Sequence, residues 1–165
     1  MRAIAAEKCI TEGKLELQRL FEYVDINAKE FKAYEMEKDI FEKILRICLI
    51  AMQYYFSQKG TGDVGAELKL DSGKILEKES QLRSRGYFSI FGKFEVPRSS
   101  YRLEGHWAVM PLDAQADLPQ RCYSYFLQEL MDFISIRDSF DEAALSLKKF
   151  FGLDIRSSRF EVIVE

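Results

Sequence analysis

The sequence predicts an α+β fold: a helical N-terminal arm, then a small antiparallel sheet of two hairpins, then a C-terminal helical unit. Three observations support this order. Apolar residues recur at three- and four-residue spacing through the first 59 residues, and no proline occurs before Pro97. Glycine-containing turns then separate short alternating segments, as in hairpins. Near the C-terminus a serine–glutamate capping box and a following glycine delimit a helix.

The N-terminal arm, residues 1–59, is predicted to hold two helices. The first covers about residues 11–23. Asp25 or Asn27 is expected to cap a second, much longer helix that ends at Lys59, because short polar side chains accept from the free N–H groups of a helix start. That helix would be about 50 Å long if continuous. Ten basic residues balance ten acidic ones in this arm, which indicates a solvated surface suited to a partner.

Residues 60–110 are predicted to form the β-hairpin region. The motif Gly60-Thr-Gly-Asp-Val-Gly65 is expected to end the long helix. Residues 67–70 and 74–78 flank Asp71-Ser72-Gly73, a turn in which glycine supplies the left-handed conformation. These two segments are therefore expected to pair as the first hairpin.

A second ribbon is predicted over residues 86–102, with its turn at Gly92-Lys93. Its first arm alternates, so that one side carries Tyr87, Ser89 and Phe91 and the other carries Phe88 and Ile90, while Phe94 and Val96 share a side of the second arm. Pro97 is expected on an edge or at the end of the pairing, because proline has no N–H to donate.

Residues 111–165 are predicted to form the C-terminal helical unit. Residues 105–118 read as a loop, and Pro119 is expected near the first position of a third helix. Ser139 and Glu142 match a capping box for a fourth helix over residues 140–151, which Gly152 would end. Ser157 or Ser158 is expected to cap a fifth helix.

Composition excludes several classes of protein. The net charge is -3 and the pI about 5.4, so nucleic-acid binding would have to come from a local patch. Residues 47–52 form the longest apolar run, far too short to cross a bilayer, and the N-terminus is too charged for a signal peptide. Three widely spaced cysteines suggest neither a disulfide framework nor a zinc site. A cytoplasmic protein without membrane contact is expected.

Catalytic, cofactor and metal sites find little support. Gly60-x-Gly62-x-x-Gly65 matches a dinucleotide fingerprint in letters, but that motif needs a strand before it and a helix after it. His106, the only histidine, has no evident nucleophile as partner and reads as structural or surface. Asp113 and Asp117 lack a third carboxylate and read as loop or capping residues. We expect no catalytic residue, no cofactor and no metal.

The clearest chemical signal is a basic segment at residues 83–105. It carries five basic residues against two acidic ones, a net charge of +3. Cations on a ribbon can contact phosphates, with neighbouring hydroxyl groups as further donors; an ordinary solvated sheet face is the alternative. The candidate DNA contacts from this segment are Arg83, Arg85, Lys93, Arg98, Ser99, Ser100 and Arg102, with Tyr101 as a further hydroxyl.

The fourth and fifth predicted helices have the outline of a helix-turn-helix. Such a unit would place Arg156, Ser157, Ser158 and Arg159 at the end that contacts DNA bases. Arg156, Ser157 and Arg159 therefore join the candidate contacts. Any helical hairpin would give the same outline, and the net charge of -1 over residues 137–165 argues against strong phosphate affinity.

Four motifs, in order, resemble the N-terminal half of bacterial insertion-sequence transposases of the Kra type. They are Gly60-Thr-Gly-Asp-Val-Gly65, Tyr87-Phe-Ser-Ile-Phe-Gly-Lys-Phe-Glu-Val-Pro-Arg98 with Tyr101, Pro111-Leu-Asp-Ala-Gln-Ala-Asp-Leu-Pro-Gln-Arg-Cys-Tyr-Ser-Tyr-Phe126, and Phe140-Asp-Glu-Ala-Ala with Phe151-Gly-Leu-Asp-Ile155. The resemblance covers roughly residues 55–160. It implies DNA binding and cut-and-paste chemistry by three carboxylates that hold two metal ions on an RNase-H-like fold.

Two departures limit what the resemblance implies. None of the aspartates matches a catalytic residue of that family, since the sequence stops before the catalytic domain would begin. Members often carry cysteines after the ribbon, whereas residues 103–110 have none, so no zinc is implied. The expected function is the catalytically inactive, DNA-binding and assembly part of a transposase. The alternative is a protein-interaction module, a homodimer through the helices around residues 31–56, with little DNA affinity.

Overall fold

The computed structural model describes residues 2–160, and their side chains from residue 6 onward. Its N-terminal part is a hairpin of two helices, α1 (Arg2–Asn27) and α2 (Ala33–Lys59). The helices are antiparallel, because Glu16 near the middle of α1 pairs with Arg46, while Tyr23 near its end bonds to Asp39 near the start of α2. Leu20 and Ile50 are buried along this contact.

The break between these helices corrects the sequence prediction. α1 is longer than residues 11–23, and Asp25 and Asn27 lie inside it rather than at the start of α2. Lys32 precedes α2 instead, and its backbone N–H donates to Glu35 at 2.9 Å. The rings of Tyr23 and Phe31 meet edge to face at 6.2 Å. Two helices are present as predicted, but the chain turns at residues 28–32 instead of residues 24–27, and the antiparallel packing of the helices buries apolar side chains.

Two small antiparallel sheets follow, and both predicted hairpins are confirmed. β1 (Glu67–Lys69) pairs with β2 (Ile75–Lys78), and β2 also pairs with the short β5 (Tyr101–Arg102). β3 (Arg83–Ser89) pairs with β4 (Gly92–Arg98) as a separate ribbon. The observed fold class is α+β, as the sequence predicted.

The ribbon differs from the prediction at its turn. Ser89 lies opposite Gly92, so Ile90 and Phe91 form the turn and Gly92 already belongs to β4, with φ 130°. The predicted turn at Gly92-Lys93 was two residues too late, because the register of the strands, not the glycine alone, sets the turn. Pro97 lies within β4, opposite Ser84, and this two-stranded ribbon gives it the edge position that proline requires.

The segment after β5 also differs from the predicted loop and helix. It contains a short helix, α3 (Pro111–Gln115), and α4 (Tyr125–Ser135) starts six residues after Pro119. Cys122 accepts a backbone hydrogen bond from Phe88, and Ser124 donates one back to Phe88, both at 2.8 Å. These ladder-like bonds hold the chain extended beside the ribbon. Ser124 then caps α4, accepting from the Leu127 N–H at 3.1 Å.

Both ends of the fourth predicted helix are confirmed. α5 (Phe140–Phe151) begins with the Ser139–Glu142 capping box and ends at Gly152, whose φ of 66° is left-handed. Residues 158–160 are again helical. The remainder of the predicted fifth helix, residues 161–165, lies outside the described residues.

The two sides of the ribbon pack on two different cores, as its alternation suggests. Tyr87, Phe94 and Val96 join Phe56 of α2 and Leu112 of α3 in one core. Phe88 and Ile90 pack instead on the core of the C-terminal unit, which is made of Tyr123, Leu127, Met131, Ala143, Leu147, Leu153, Ile155 and Phe160. The ribbon therefore lies between the two cores and contributes side chains to both.

Candidate nucleic-acid interface

The open end of the β3–β4 ribbon brings three candidate arginines together. Arg83 lies directly opposite Arg98 in the strand register, and Arg85 is opposite Val96 two residues further on. Like charges placed so closely repel each other. The arrangement therefore needs anions beside it, and the structure supplies them from within the chain.

Asp113 of α3 occupies the space between two of these arginines. Its Oδ2 atom lies 2.5 Å from an Nη atom of Arg98 and 3.8 Å from one of Arg85. Arg85 also donates to the backbone carbonyls of Pro119 and Arg121. The side chains of Arg98 and Arg85 are only 11% and 13% exposed. Both guanidinium groups thus hold α3 and the chain after it against the ribbon.

The hydroxyl groups after β4 also face inward. Ser99 and Ser100 are buried, and so is Tyr101. The Ser99 hydroxyl bonds to that of Thr61 at 2.9 Å, and the Ser100 hydroxyl donates to Glu79 at 2.5 Å. None of these oxygens is on the surface where a phosphate could meet it.

Tyr101 fixes the Gly60–Gly65 connector. Its hydroxyl accepts from the Val64 N–H at 2.8 Å and lies 3.0 Å from the Gly65 carbonyl and 3.2 Å from an Asp63 carboxylate oxygen. Lys78 donates to Asp63 at 2.6 Å. This hydrogen bond, followed by the Gly65 backbone N–H, holds the pKa of Asp63 below its ordinary value. A helix precedes the connector and a hairpin follows it, the reverse of the order that a dinucleotide site requires.

Glu79 is a second acidic residue that the basic segment recruits. Its carboxylate accepts two hydrogen bonds from Arg83, at 2.8 and 3.0 Å, and lies 4.0 Å from Arg102. The hydrogen bond from Ser100, followed by the one from Arg83, holds the pKa of Glu79 below its ordinary value. Arg102 also donates to the His106 carbonyl at 3.3 Å. Arg83 and Arg102 remain partly exposed beside this acid.

The sequence did not reveal that Glu79 and Asp113 pair with these arginines, for one reason. Both lie outside residues 83–105, so the +3 charge of that segment did not include them. Glu79 lies four residues before Arg83, a separation that would have hinted at their pairing. Asp113 gave no such signal, because only the fold brings it to Arg98.

Lys93 is the ribbon cation that stays in solvent. It is exposed, and its ammonium group lies 5.2 Å from the centre of the Phe88 ring. Within residues 2–160, no carboxylate pairs with it. Lys93 is therefore available to an external anion, whereas Arg85 and Arg98 are not.

The C-terminal candidates are placed differently from those of the ribbon. Arg156 and Arg159 are exposed and Ser157 is half-buried, at the entry to the helical residues 158–160. The Arg159 N–H donates to the Arg156 carbonyl at 2.9 Å, which closes the first turn. Phe160 is fully buried, and its ring stacks on Phe140 at 6.1 Å. In the described part of the chain no carboxylate pairs with either arginine.

The remaining polar residues do not form a reactive centre. His106 lies on the surface, 3.0 Å from the Lys74 ammonium group, and its neighbour Trp107 is 92% exposed. Asp117 follows α3 in a left-handed conformation, with φ 46°, and does not join Asp113. Across residues 2–160, no group of three or more His, Cys, Asp and Glu side chains could hold a metal ion.

No family model matches the chain, and no curated protein and no solved structure is significantly similar to it. None of its described helices is both long enough and apolar enough to span a bilayer.

Proposed function

We propose that the chain is the DNA-binding and assembly part of a transposase and that it carries no catalytic centre of its own. The single observation that carries the DNA contact is the pair Arg156 and Arg159, exposed next to and within the helical residues 158–160 and free of any acidic partner among residues 2–160. The ordered transposase-like motifs supply the wider context.

The C-terminal unit supports this contact through its helical packing. α4, α5 and the turn that ends in Phe160 bury one common core, so the residues before Phe160 are held on a rigid base. Helix-turn-helix proteins direct the first residues of their second helix at base edges and phosphates. The backbone hydrogen bond from the Arg159 N–H to the Arg156 carbonyl keeps the two residues close together, so both can act on the same stretch of DNA backbone.

Lys93, Arg83 and Arg102 are proposed as secondary contacts on the ribbon. Lys93 is the strongest of the three because no carboxylate within residues 2–160 pairs with it, whereas Arg83 and Arg102 must be shared with Glu79. Arg98, Ser99 and Ser100 support the fold beneath this surface. Replacing Arg98 would therefore perturb folding and DNA binding together, so Arg98 is left unchanged in the binding experiment.

The test is a salt titration of binding to a labelled generic duplex. We expect affinity to weaken steeply with salt, because each neutralised phosphate releases a counterion. The double variant Arg156→Ala/Arg159→Ala should weaken binding and lower the slope of log K against log salt by about 1 to 2. Arg19→Ala is the matched control: it removes an exposed arginine from α1, paired with Glu16, and should bind like the wild type.

One result would contradict DNA binding, and another would contradict only its location at Arg156 and Arg159. Wild-type protein that fails to bind at low salt would remove the proposed function. Binding that is unchanged in the double variant but lost on Lys93→Ala would move the contact to the ribbon. Three free cysteines suit a reducing compartment, and we propose that the protein acts on DNA in the cytoplasm.

Self-association through the N-terminal helices is the second proposal, and one observation favours it. The accessible surface of the chain is 11512 Å², whereas a compact monomer of 19.2 kDa exposes about 8,400 Å². The excess of about 3,000 Å² is larger than the roughly 800 Å² that each partner buries in a standard interface. A dimeric mass in solution is expected; a strictly monomeric mass would oppose this proposal.

A further inference from the structure

One side of the helical hairpin is apolar on both helices and has no cover within the described chain. On α1 the row consists of Ile10, Leu17 and Phe21, which are 41%, 42% and 63% exposed. Residues seven and eleven apart fall on one side of an α-helix, because each residue turns it by about 100°. The three side chains therefore share one side of α1, where the exposed Lys14 lies between Ile10 and Leu17.

α2 contributes a second row, on the side that faces away from the ribbon. Leu49 and Phe56 pack on the ribbon core. Ile47 and Tyr54 each lie two residues earlier, so they point to nearly the opposite side of the helix. The half-buried residues that continue this row toward the start of α2 are Ile40 and Met36.

The two rows lie on the same side of the hairpin. Phe21 follows Leu20, which is buried against α2, so the α1 row flanks the contact between the helices. Glu16 lies on the opposite flank of α1, and it pairs with Arg46, which lies toward the ribbon side of α2. The row of Ile10, Leu17 and Phe21 is therefore turned away from the ribbon, next to the α2 row. We call this combined surface the outer face.

We infer that a second copy of the chain covers the outer face, so that two hairpins pack as a four-helix bundle with twofold symmetry. Over residues 44–56 only Arg46 and Gln53 interrupt the apolar surface of α2, and a helix segment that is apolar on most of its sides is normally buried on most of them. This location rests on the self-association proposed above. The balanced charges of residues 1–59 let two copies approach without net repulsion.

The available area is compatible with a second copy. The surface excess of about 3,000 Å² belongs to the whole chain and exceeds the roughly 800 Å² that each partner buries in a standard interface. In a twofold interface each patch meets itself, and an apolar outer face is complementary to its own copy. Phe21 is the ring with the most surface to bury there, and large aromatic side chains dominate such interfaces.

The test compares Phe21→Lys with Ile26→Lys by sedimentation equilibrium over a range of concentrations. Both changes place a lysine on an exposed position of α1, and Ile26 is 77% exposed but lies off the row. We expect wild-type and Ile26→Lys chains to dimerise and Phe21→Lys to raise the dimer dissociation constant at least tenfold. Unchanged helical circular dichroism would show that the variants fold; Phe21→Leu, which keeps an apolar side chain, should restore dimerisation.

The outcomes separate the location from the association itself. A monomeric wild type would overturn both. A dimeric wild type with a dimeric Phe21→Lys variant would overturn the outer face alone and leave self-association standing. Loss of dimer in Ile26→Lys as well would also overturn the assignment, since that side chain lies outside the row.

Discussion

At the scale of single residues, the acidic partner of each arginine in the basic segment determines whether its side chain is buried or exposed. Arg98 and Arg85 are drawn inward by Asp113, while Arg83 and Arg102 stay at the surface beside Glu79. Arg98 keeps a buried Nε atom and Asp113 a buried Oδ1 atom without hydrogen-bond partners. The pair is therefore incompletely satisfied, and each member depends on the charge of the other.

Replacing Asp113 with alanine should destabilise the protein strongly. The change leaves the Arg98 guanidinium largely buried without its carboxylate. Because Asp113 is 31% exposed, we expect a loss toward the lower end of the about 3 to 5 kcal/mol that breaking a fully buried ion pair costs. Urea unfolding followed by circular dichroism would measure the loss.

Asp154→Ala is the matched control for that experiment. Asp154 pairs with Lys148 at 3.1 Å, but both side chains are largely exposed, so the change should cost less than about 1 kcal/mol. Equal effects of the two substitutions would show that Asp113 does not hold Arg98 inside the fold.

At the scale of elements, the Gly60–Gly65 connector fixes where α3 meets the end of α2. Gly62 has a φ of 72°, and a Cβ atom built there would lie 2.4 Å from the Leu112 backbone nitrogen. Backbone, unlike the end of a flexible side chain, cannot move aside cheaply. Gly60-x-Gly62-x-x-Gly65 therefore matches a dinucleotide fingerprint only in its letters. The glycine at position 62 instead allows the connector to pack closely against the backbone of Leu112.

Gly62→Ala should lower the free energy of unfolding by about 3 kcal/mol, the combined cost of a left-handed alanine and an overpacked contact. Gly65→Ala is the control, since its φ is 110° but nothing lies within 4 Å of the added Cβ. It should lose only about 1 to 2 kcal/mol, the conformational part. Thermal unfolding of both variants would separate crowding from conformation, and similar losses would argue against the close approach to Leu112.

The elements that the sequence predicted well are those with local signals. Ser139, Glu142 and Gly152 determine both ends of α5 through bonds within a few residues, and Gly73 supports the first hairpin in the same way. The exact position of the break between α1 and α2, a few residues later than predicted, and the late start of α4 depend on Tyr23 meeting Asp39 and on Cys122 pairing with Phe88. Such contacts join distant parts of the chain, so no local pattern could reveal them.

The candidate site was less predictable than the fold. Lys93, Arg156 and Arg159 are exposed cations, as a phosphate contact requires, but Arg98, Ser99 and Ser100 are buried. Residue type and spacing identify cations without showing which way they face. The strand alternation places Val96 inside and therefore puts Arg98 on the same, inward side. The carboxylate of Asp113 then pairs with the buried charge of Arg98.

At the scale of the whole molecule, acid should weaken the fold through carboxylates that are hydrogen-bonded in it. Hydrogen bonds hold the pKa values of Asp63, Glu79 and Glu142 below their ordinary values of 3.8 and 4.5, mainly through Lys78, Ser100 and Ser139 respectively. A carboxyl with a lowered folded pKa stabilises the fold above its unfolded pKa, and that contribution is lost as pH falls through the folded pKa.

We therefore expect urea midpoints to be steady near neutral pH and to fall below about pH 4. Glu79→Gln should lose part of this acid dependence, because the amide does not titrate, and should be less stable than the wild type at pH 7. An acid limb as steep in the variant as in the wild type would mean that Glu79 does not contribute to it.

The loop that carries Trp107 has a consequence for spectroscopy. Trp107 is the only tryptophan of the chain and is almost fully exposed in the folded state. Its indole therefore meets water before and after unfolding, and its emission maximum should barely move when the protein denatures. Intrinsic tryptophan fluorescence will therefore change little when the protein folds or unfolds. A clear blue shift or quenching will instead report that another molecule binds at this loop.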